Sequence, residues 1–172
     1  AESVGRELTR EEGKTLKEGI GETNRAVQIL RYFAGEAQQP SGEHYPSMNP
    51  LTLLYTVREP LGVVGLITPW NFPIAIPAWK LAPALAYGNA CVWKPSPFSP
   101  ACAEALLECL APELPAEVVR MVQGRADAGA ALVGHPGVHA ISFTGSVATG
   151  NTVARMAVER GAAAQCEMGG QI

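Results

Sequence analysis

The sequence has no GxGxxG dinucleotide fingerprint, no CxxC pair, no apolar run long enough to span a bilayer and no marked excess of charge of either sign. Its 13 Lys and Arg against 16 Asp and Glu leave a net charge of −3, which argues against an electrostatic nucleic-acid binder. At 47% hydrophobic and 17% charged, the chain can bury a core and does not read as a disordered tail. The strongest apolar stretches, Leu61 to Ile67 and Ile74 to Ala86, are interrupted by Pro69, Pro73, Pro77 and Pro83, so no membrane span is expected. Ala1-Glu2-Ser3-Val4 lacks a basic region followed by an apolar core. With no secretory signal there, the expectation is a cytoplasmic globular protein. Cys91, Cys102, Cys109 and Cys166 have no metal-ligand spacing and read as reduced, mostly buried thiols. His135 and His139 are separated by Pro136 and Gly137, which forbid the helix that would align their rings, and no metal site is expected.

What is present divides in two. Residues 1–50 read as a helical segment and a connection. Leu16, Ile20, Val27, Leu30 and Phe33 recur every three or four positions, predicting one long amphipathic helix over about 9–37, broken near Gly19 and Gly21. Residues 39–50 hold three prolines and Gly42 and read as an exposed connection. Residues 51–172 read as an α/β domain. Leu51 to Arg58 alternates loosely and suggests an edge hairpin outside the main sheet. After it, short β-branched runs at 62–67, 90–93, 118–122, 138–143 and 163–167 alternate with helical segments at 74–86, 99–110, 126–133 and 147–160. Continuous apolarity in the strands predicts a doubly wound parallel sheet covered on both faces. Ligands bind beyond the carboxyl ends of such strands, which directs attention to the loops after Ile67, Trp93, Val122, Phe143 and Glu167.

Those loops carry the chemistry. Phe143-Thr144-Gly145-Ser146 ends a strand and opens a helix, a plausible anion seat. Gly145 to Thr152 nearly fits the phosphate-loop pattern GxxxxGK[ST], but Asn151 stands where the lysine is required, which counts against a nucleoside triphosphatase. Thr68-Pro69-Trp70-Asn71-Phe72-Pro73 follows the first strand, and Lys94-Pro95-Ser96-Pro97 the second. Taken alone, these are a rigid turn with a helix cap and a lysine at a strand end.

Taken in order, Thr68 to Pro73, Trp79 to Asn89, Lys94-Pro95-Ser96, Phe143 to Ser146 and Glu167-Met168-Gly169-Gly170 resemble the aldehyde dehydrogenase superfamily, from about Thr9 to the last residue. The resemblance implies a Rossmann-like sheet and an NAD or NADP cofactor. It also implies oxidation of an aldehyde to a carboxylic acid through a cysteine thiohemiacetal, and a homo-oligomer, dimer or tetramer. It implies Asn71 as an oxyanion donor and Glu167 as the general base that activates water for deacylation. By the same carry-over Ile67, Thr68, Pro69 and Trp70 line the cofactor cleft, Lys94 contacts the adenosine ribose, Gly124 lies beside the adenine, Ser146 and the start of its helix match the pyrophosphate contact, and Ser96 and Gly145 belong to the same cofactor-binding set.

Three departures from the family pattern bear on these expectations. Pro97 replaces a ribose-binding glutamate of many NAD-preferring members, so NADP should be tolerated or preferred. Glu117 occupies a turn position that is usually glycine. The family nucleophile lies well beyond the glutamate, in a Gly-Gln-x-Cys type segment that these residues do not include, and Cys166 alternates away from Glu167 along its strand. The 172 residues alone are therefore expected to lack dehydrogenase activity, with a truncated non-catalytic dinucleotide-binding or assembly module as the alternative. The blocks at 8–16 and 61–86 lean toward bacterial enzymes of semialdehyde acids.

Overall fold

A computed structural model describes residues 1–39 and 42–169. Pro40 of the expected connection and Gly170 of the Glu167 motif lie outside the described residues. The chain opens on two helices, α1 (Glu2–Glu12) and α2 (Leu16–Glu36), where one was expected. The break falls at Gly13, not near Gly19 or Gly21. Gly13 closes α1 with a φ of 82°, which favours a residue without Cβ, and Thr15 opens α2 with a capping box to Glu18. Gly19 serves a different purpose: a Cβ there would meet the Gly5 carbonyl oxygen at 2.5 Å. The two glycines let α1 and α2 cross closely.

Two short strands, β1 (His44–Tyr45) and β2 (Leu54–Tyr55), pair antiparallel as a separate ribbon. The suspected hairpin within 51–58 therefore finds its partner in the stretch read as a bare connection. The main sheet is parallel and has the order β5-β4-β3-β6-β7, with β3 (Val63–Ile67), β4 (Ala90–Lys94), β5 (Val119–Met121), β6 (Ala140–Gly145) and β7 (Ala163–Met168). Helices α3 (Ala75–Ala86), α4 (Pro100–Leu110), α5 (Ala126–Gly134) and α6 (Val147–Glu159) link the strands, with a 3-10 turn at Ala111–Glu113. The chain departs from β3 first to one side and later to the other, so a topological switch point lies between β3 and β6.

The core confirms two-sided burial for β3 and β4, but not for β7, five of whose six residues are exposed. β7 is an edge strand, and only Cys166 turns inward from it, against the cluster of Ile141, Phe143 and Val153. On the other side of the sheet, Val4, Leu8 and Ala26 join Leu66, Leu81, Trp93 and Cys102 in one core. The N-terminal helices are thereby packed into the sheet domain, and their carboxylates reach across it. Glu11 accepts from the Ala101 and Cys102 amides at 2.9 and 2.7 Å, capping α4, whose own N-cap residue Ser99 makes no side-chain cap. Glu117 sits at φ 70°, a left-handed conformation that accounts for the glycine expected at that turn; a non-glycine residue there costs on the order of 1 kcal/mol.

Candidate functional site

Because the five strands are parallel, the segments following them all emerge at one edge of the sheet. The loop after β3 is fixed at its start. Thr68 is buried, its Oγ1 accepts from the indole Nε1 of fully buried Trp93 at 2.9 Å, and its amide donates to the Lys94 carbonyl. Ile67 is buried, Pro69 half-buried, and Trp70, Asn71 and Phe72 are exposed. Next to this loop, Lys94 is buried at the end of β4 and donates to the carbonyls of Pro95 at 2.8 Å and Gly124 at 3.0 Å. Its burial lowers the ammonium below the ordinary lysine range, partly opposed by Asp127. The lysine therefore ties the β4 loop to the segment after β5. A Cβ at Gly124 would meet that of Ala128 at 2.5 Å, so the backbone there stays bare. Ser96 is buried and its Oγ accepts from the Phe98 amide at 3.2 Å.

Across the switch point, Gly145 ends β6 and Ser146 caps α6, accepting from the Thr149 amide at 3.3 Å. Helix geometry leaves the Val147 and Ala148 amides without intrahelical acceptors. The helix after β3 is different. There the Ile74 and Ala75 amides both donate to Glu22 Oε1, at 2.9 and 3.0 Å. In the usual dinucleotide fold that terminus takes the pyrophosphate; here a carboxylate from α2 already fills it. The missing GxGxxG and the free α6 terminus are two sides of one arrangement.

Glu167 lies on β7 beside a polar row that the sequence reading missed. Thr144 Oγ1 donates to Glu167 Oε2 at 3.1 Å and Gln165 Nε2 to Glu167 Oε1 at 3.1 Å. Ser142 Oγ donates to Gln165 Oε1 at 2.5 Å, and Lys80 Nζ to Ser142 Oγ at 2.8 Å. Buried Lys80 is lowered by desolvation, against which the charge of Glu167 acts. The signal was available: Ser142 and Thr144 on one strand, and Gln165 and Glu167 on the next, repeat at the two-residue spacing that shares a sheet face. Cys166 points the other way, its Sγ toward the Gly150 carbonyl. Burial pushes the Cys91 thiol up to about 12, raises Cys102 further, and raises Cys166. These three lack the depressed pKa that activates a cysteine nucleophile.

Asn71 borders a cleft of about 500 Å³ shared with Phe72, Lys14, Glu18, Gly21, Glu22 and Arg25. Lys14 pairs with Glu12 at 2.7 Å and with Glu22 at 2.5 Å, and Glu18 is engaged in the Thr15 capping box. Among the described residues, the Arg25 guanidinium has no ion-pair partner. No group of three or more His, Cys, Asp or Glu converges among the described residues, and none of their helices is long and apolar enough to cross a membrane.

This geometry has close counterparts. The aldehyde dehydrogenase family pattern matches residues 1–172, and the chain belongs to that family. It is 46% identical over 172 residues to the alpha-ketoglutaric semialdehyde dehydrogenase of Bacillus subtilis (strain 168), covering 99% of this chain and 35% of that protein. It is 43% identical over 160 residues to 4-trimethylaminobutyraldehyde dehydrogenase A of Danio rerio, covering 92% of this chain and 31% of that one. The crystal structure of betaine aldehyde dehydrogenase from Staphylococcus aureus in complex with NAD+ superposes with a TM-score of 0.93 at 35% identity, over 98% of this chain and 34% of that one. The chain thus spans about a third of the length of these relatives.

The Glu12, Lys14 and Glu22 cluster carries a pH dependence. Burial alone would lower Lys14, but hydrogen bonds to Glu12 and Glu22 outweigh it and hold the ammonium above its ordinary value. A group raised on folding contributes its full stabilisation below the unfolded pKa, about 10.4, and loses it as pH climbs through the folded one. Urea midpoints of the wild-type chain should therefore decline above about pH 10.4, and those of Lys14→Met should decline less over the same interval. Parallel curves would remove Lys14 from the alkaline limb.

Proposed function

We propose that residues 1–172 are the cofactor-binding part of an NAD(P)-dependent aldehyde dehydrogenase that converts an aldehyde to a carboxylic acid. The observation that carries this reading is that the Ser146 helix terminus, the Asn71 loop and the hydrogen-bonded carboxylate of Glu167 all lie at the carboxyl ends of strands in one parallel sheet, and so at the same edge of it. The Asn71 amide donates to the aldehyde oxygen as it becomes negative when a cysteine thiolate, not one of those in residues 1–172, adds to the carbonyl carbon and leads to the thioester. Glu167 takes a proton from the water that releases the acid. The nicotinamide cofactor supplies the hydride acceptor. For that cofactor, Ser146 and the α6 amides receive the pyrophosphate. Ile67, Thr68, Pro69 and Trp70 line the cleft, and Gly145 and Gly124 allow close backbone approach. Lys94 has three donors and spends two on carbonyls, leaving one for a ribose hydroxyl beside Ser96. With Pro97 in place of an acid, nothing at that position repels a 2′-phosphate. Fluorescence titration of the 172-residue chain should give NADH and NADPH affinities within about tenfold of each other or favour NADPH, and Lys94→Met should weaken both. Binding of neither cofactor would overturn the assignment.

The substrate we assign is an aldehyde that carries a carboxylate at its far end. Among the described residues, Arg25 is the one cation of the Asn71 cleft with no ion-pair partner, and it supports this together with the semialdehyde named for the Bacillus subtilis relative. A charged hydrogen bond of this kind contributes about 1.5–3 kcal/mol, so in the complete enzyme Arg25→Met should lower kcat/KM for a semialdehyde acid by about 10- to 100-fold. An uncharged aldehyde of equal length should be little affected. Equal losses on both would reject the assignment.

We also propose a homo-oligomer, built through the ribbon. Leu51, Leu53, Leu54, Tyr55 and Val57 are all exposed around β2, an apolar surface of the kind that marks interfaces. Light scattering at micromolar concentration should return a mass above the 18.1 kDa of one chain. A clean monomer counts against this surface as an interface.

A further inference from the structure

The Asn71 loop is held by charged side chains of α2 and of the linker between α1 and α2. Lys14 Nζ donates to the Asn71 carbonyl at 3.3 Å and stands over the Phe72 ring at 4.7 Å. Glu22 grips the same ammonium with Oε2 and the Ile74 and Ala75 amides with Oε1. Within five consecutive residues, a carbonyl, a ring and two amides are tied to one ion cluster. The Asn71 side chain itself has no hydrogen bond among the described residues and is exposed, so the loop backbone sets the direction in which it leaves the chain. The cluster is also an expensive way to gain stability. The side chains of Glu12, Glu22 and Lys14 are only 4%, 2% and 16% exposed, and buried ion pairs seldom outperform apolar replacements of similar volume.

We propose that Lys14, clamped between Glu12 and Glu22, is a positioning residue for the Asn71 amide: it sets the loop backbone from which the oxyanion donor projects. This rests on the reading of Asn71 as that donor. Lys14 meets the loop at the Asn71 carbonyl and the Phe72 ring, not at the Asn71 side chain. The proposed effect on catalysis passes through the Asn71 amide, which separates positioning from general stabilisation.

The test is a double-mutant cycle on the single-turnover burst of reduced cofactor in the complete enzyme, with cofactor affinity measured alongside. Asn71→Ala should slow the burst about 10²- to 10³-fold, as loss of one oxyanion donor does. Lys14→Met should slow it about 10- to 100-fold, the range for a donor misplaced by about 1 Å, with cofactor affinity unchanged. Lys14→Arg should recover most of that loss. In the Asn71→Ala background, Lys14→Met should change the burst by less than about twofold, because the group it positions is gone. Full additivity, or a wild-type burst in Lys14→Met, would overturn the positioning role while leaving Asn71 in place. A wild-type burst in Asn71→Ala would overturn the donor reading itself. Should Lys14→Met not fold, Glu22→Gln serves in the same cycle: it retains an oxygen for the two amides and turns a donor toward Lys14. An additive Glu22→Gln would overturn the proposal equally.

Discussion

The carboxylate of Glu22 at the start of α3 is the contact on which the rest of the arrangement depends. Unpaired amides and the aligned peptide dipoles make a helix N-terminus attractive to anions. In a parallel sheet with its switch point after β3, the helix that follows β3 is the natural seat for a phosphate. Here that seat is taken by a side chain reaching more than fifty residues along the sequence, with hydrogen bonds of 2.9 and 3.0 Å to Ile74 and Ala75. The nearest remaining terminus across the switch point is that of α6, entered through Gly145 and Ser146. A glycine-rich turn after β3 is then unnecessary, and the loop is free to carry Trp70, Asn71 and Phe72 instead.

The same device recurs at α4, where Glu11 caps the Ala101 and Cys102 amides. Two helices of the sheet domain therefore begin on carboxylates supplied by α1 and α2. Both helices lack caps of their own: Ile74 has no side-chain acceptor, and Ser99, though of the right type, makes no cap. Capping of this kind contributes roughly 1 kcal/mol per helix. Its larger consequence is geometric, because the caps fix how the N-terminal pair lies against α3 and α4, and Leu8 and Ala26 then fill the core between them.

Much of this was legible in the sequence, for reasons that vary by element. The five strands and four linking helices were readable because β-branched runs and helix-permissive runs alternate at unit length, and burial on both faces made β3 and β4 continuously apolar. β7 broke that pattern: an edge strand needs only one apolar face, and Cys166 is its one partly buried residue. The N-terminal break was misread because glycine has two uses in helices. Gly13 terminates one with a positive φ, whereas Gly19 permits a crossing, and composition alone cannot tell them apart. The loops bearing Asn71, Lys94 and Ser146 stood out through motif order. Glu22, Lys14 and Lys80 did not, since a charged residue in an amphipathic helix reads as solvated until the helix has a neighbour.

Lys80 and the Glu167 row show what that neighbour changes. In isolation, Lys80 would be a surface ammonium and Glu167 an acid at a strand end. Packed together, they terminate a continuous polar path from α3 through Ser142 and Gln165 to the carboxylate. Ser142 donates to Gln165 and accepts from Lys80, so each hydroxyl and amide has a defined direction, and the lysine's burial disfavours its charge while Glu167 supports it. A carboxylate whose two oxygens are already engaged by Thr144 and Gln165 cannot swing freely. Its orientation is set by the register of β6 against β7, just as the placement of the Asn71 loop is set by α2 against α3. The two groups on which the proposed chemistry depends are thus oriented by different layers of the fold, and both layers are anchored to β6 and β3, the strands that flank the switch point.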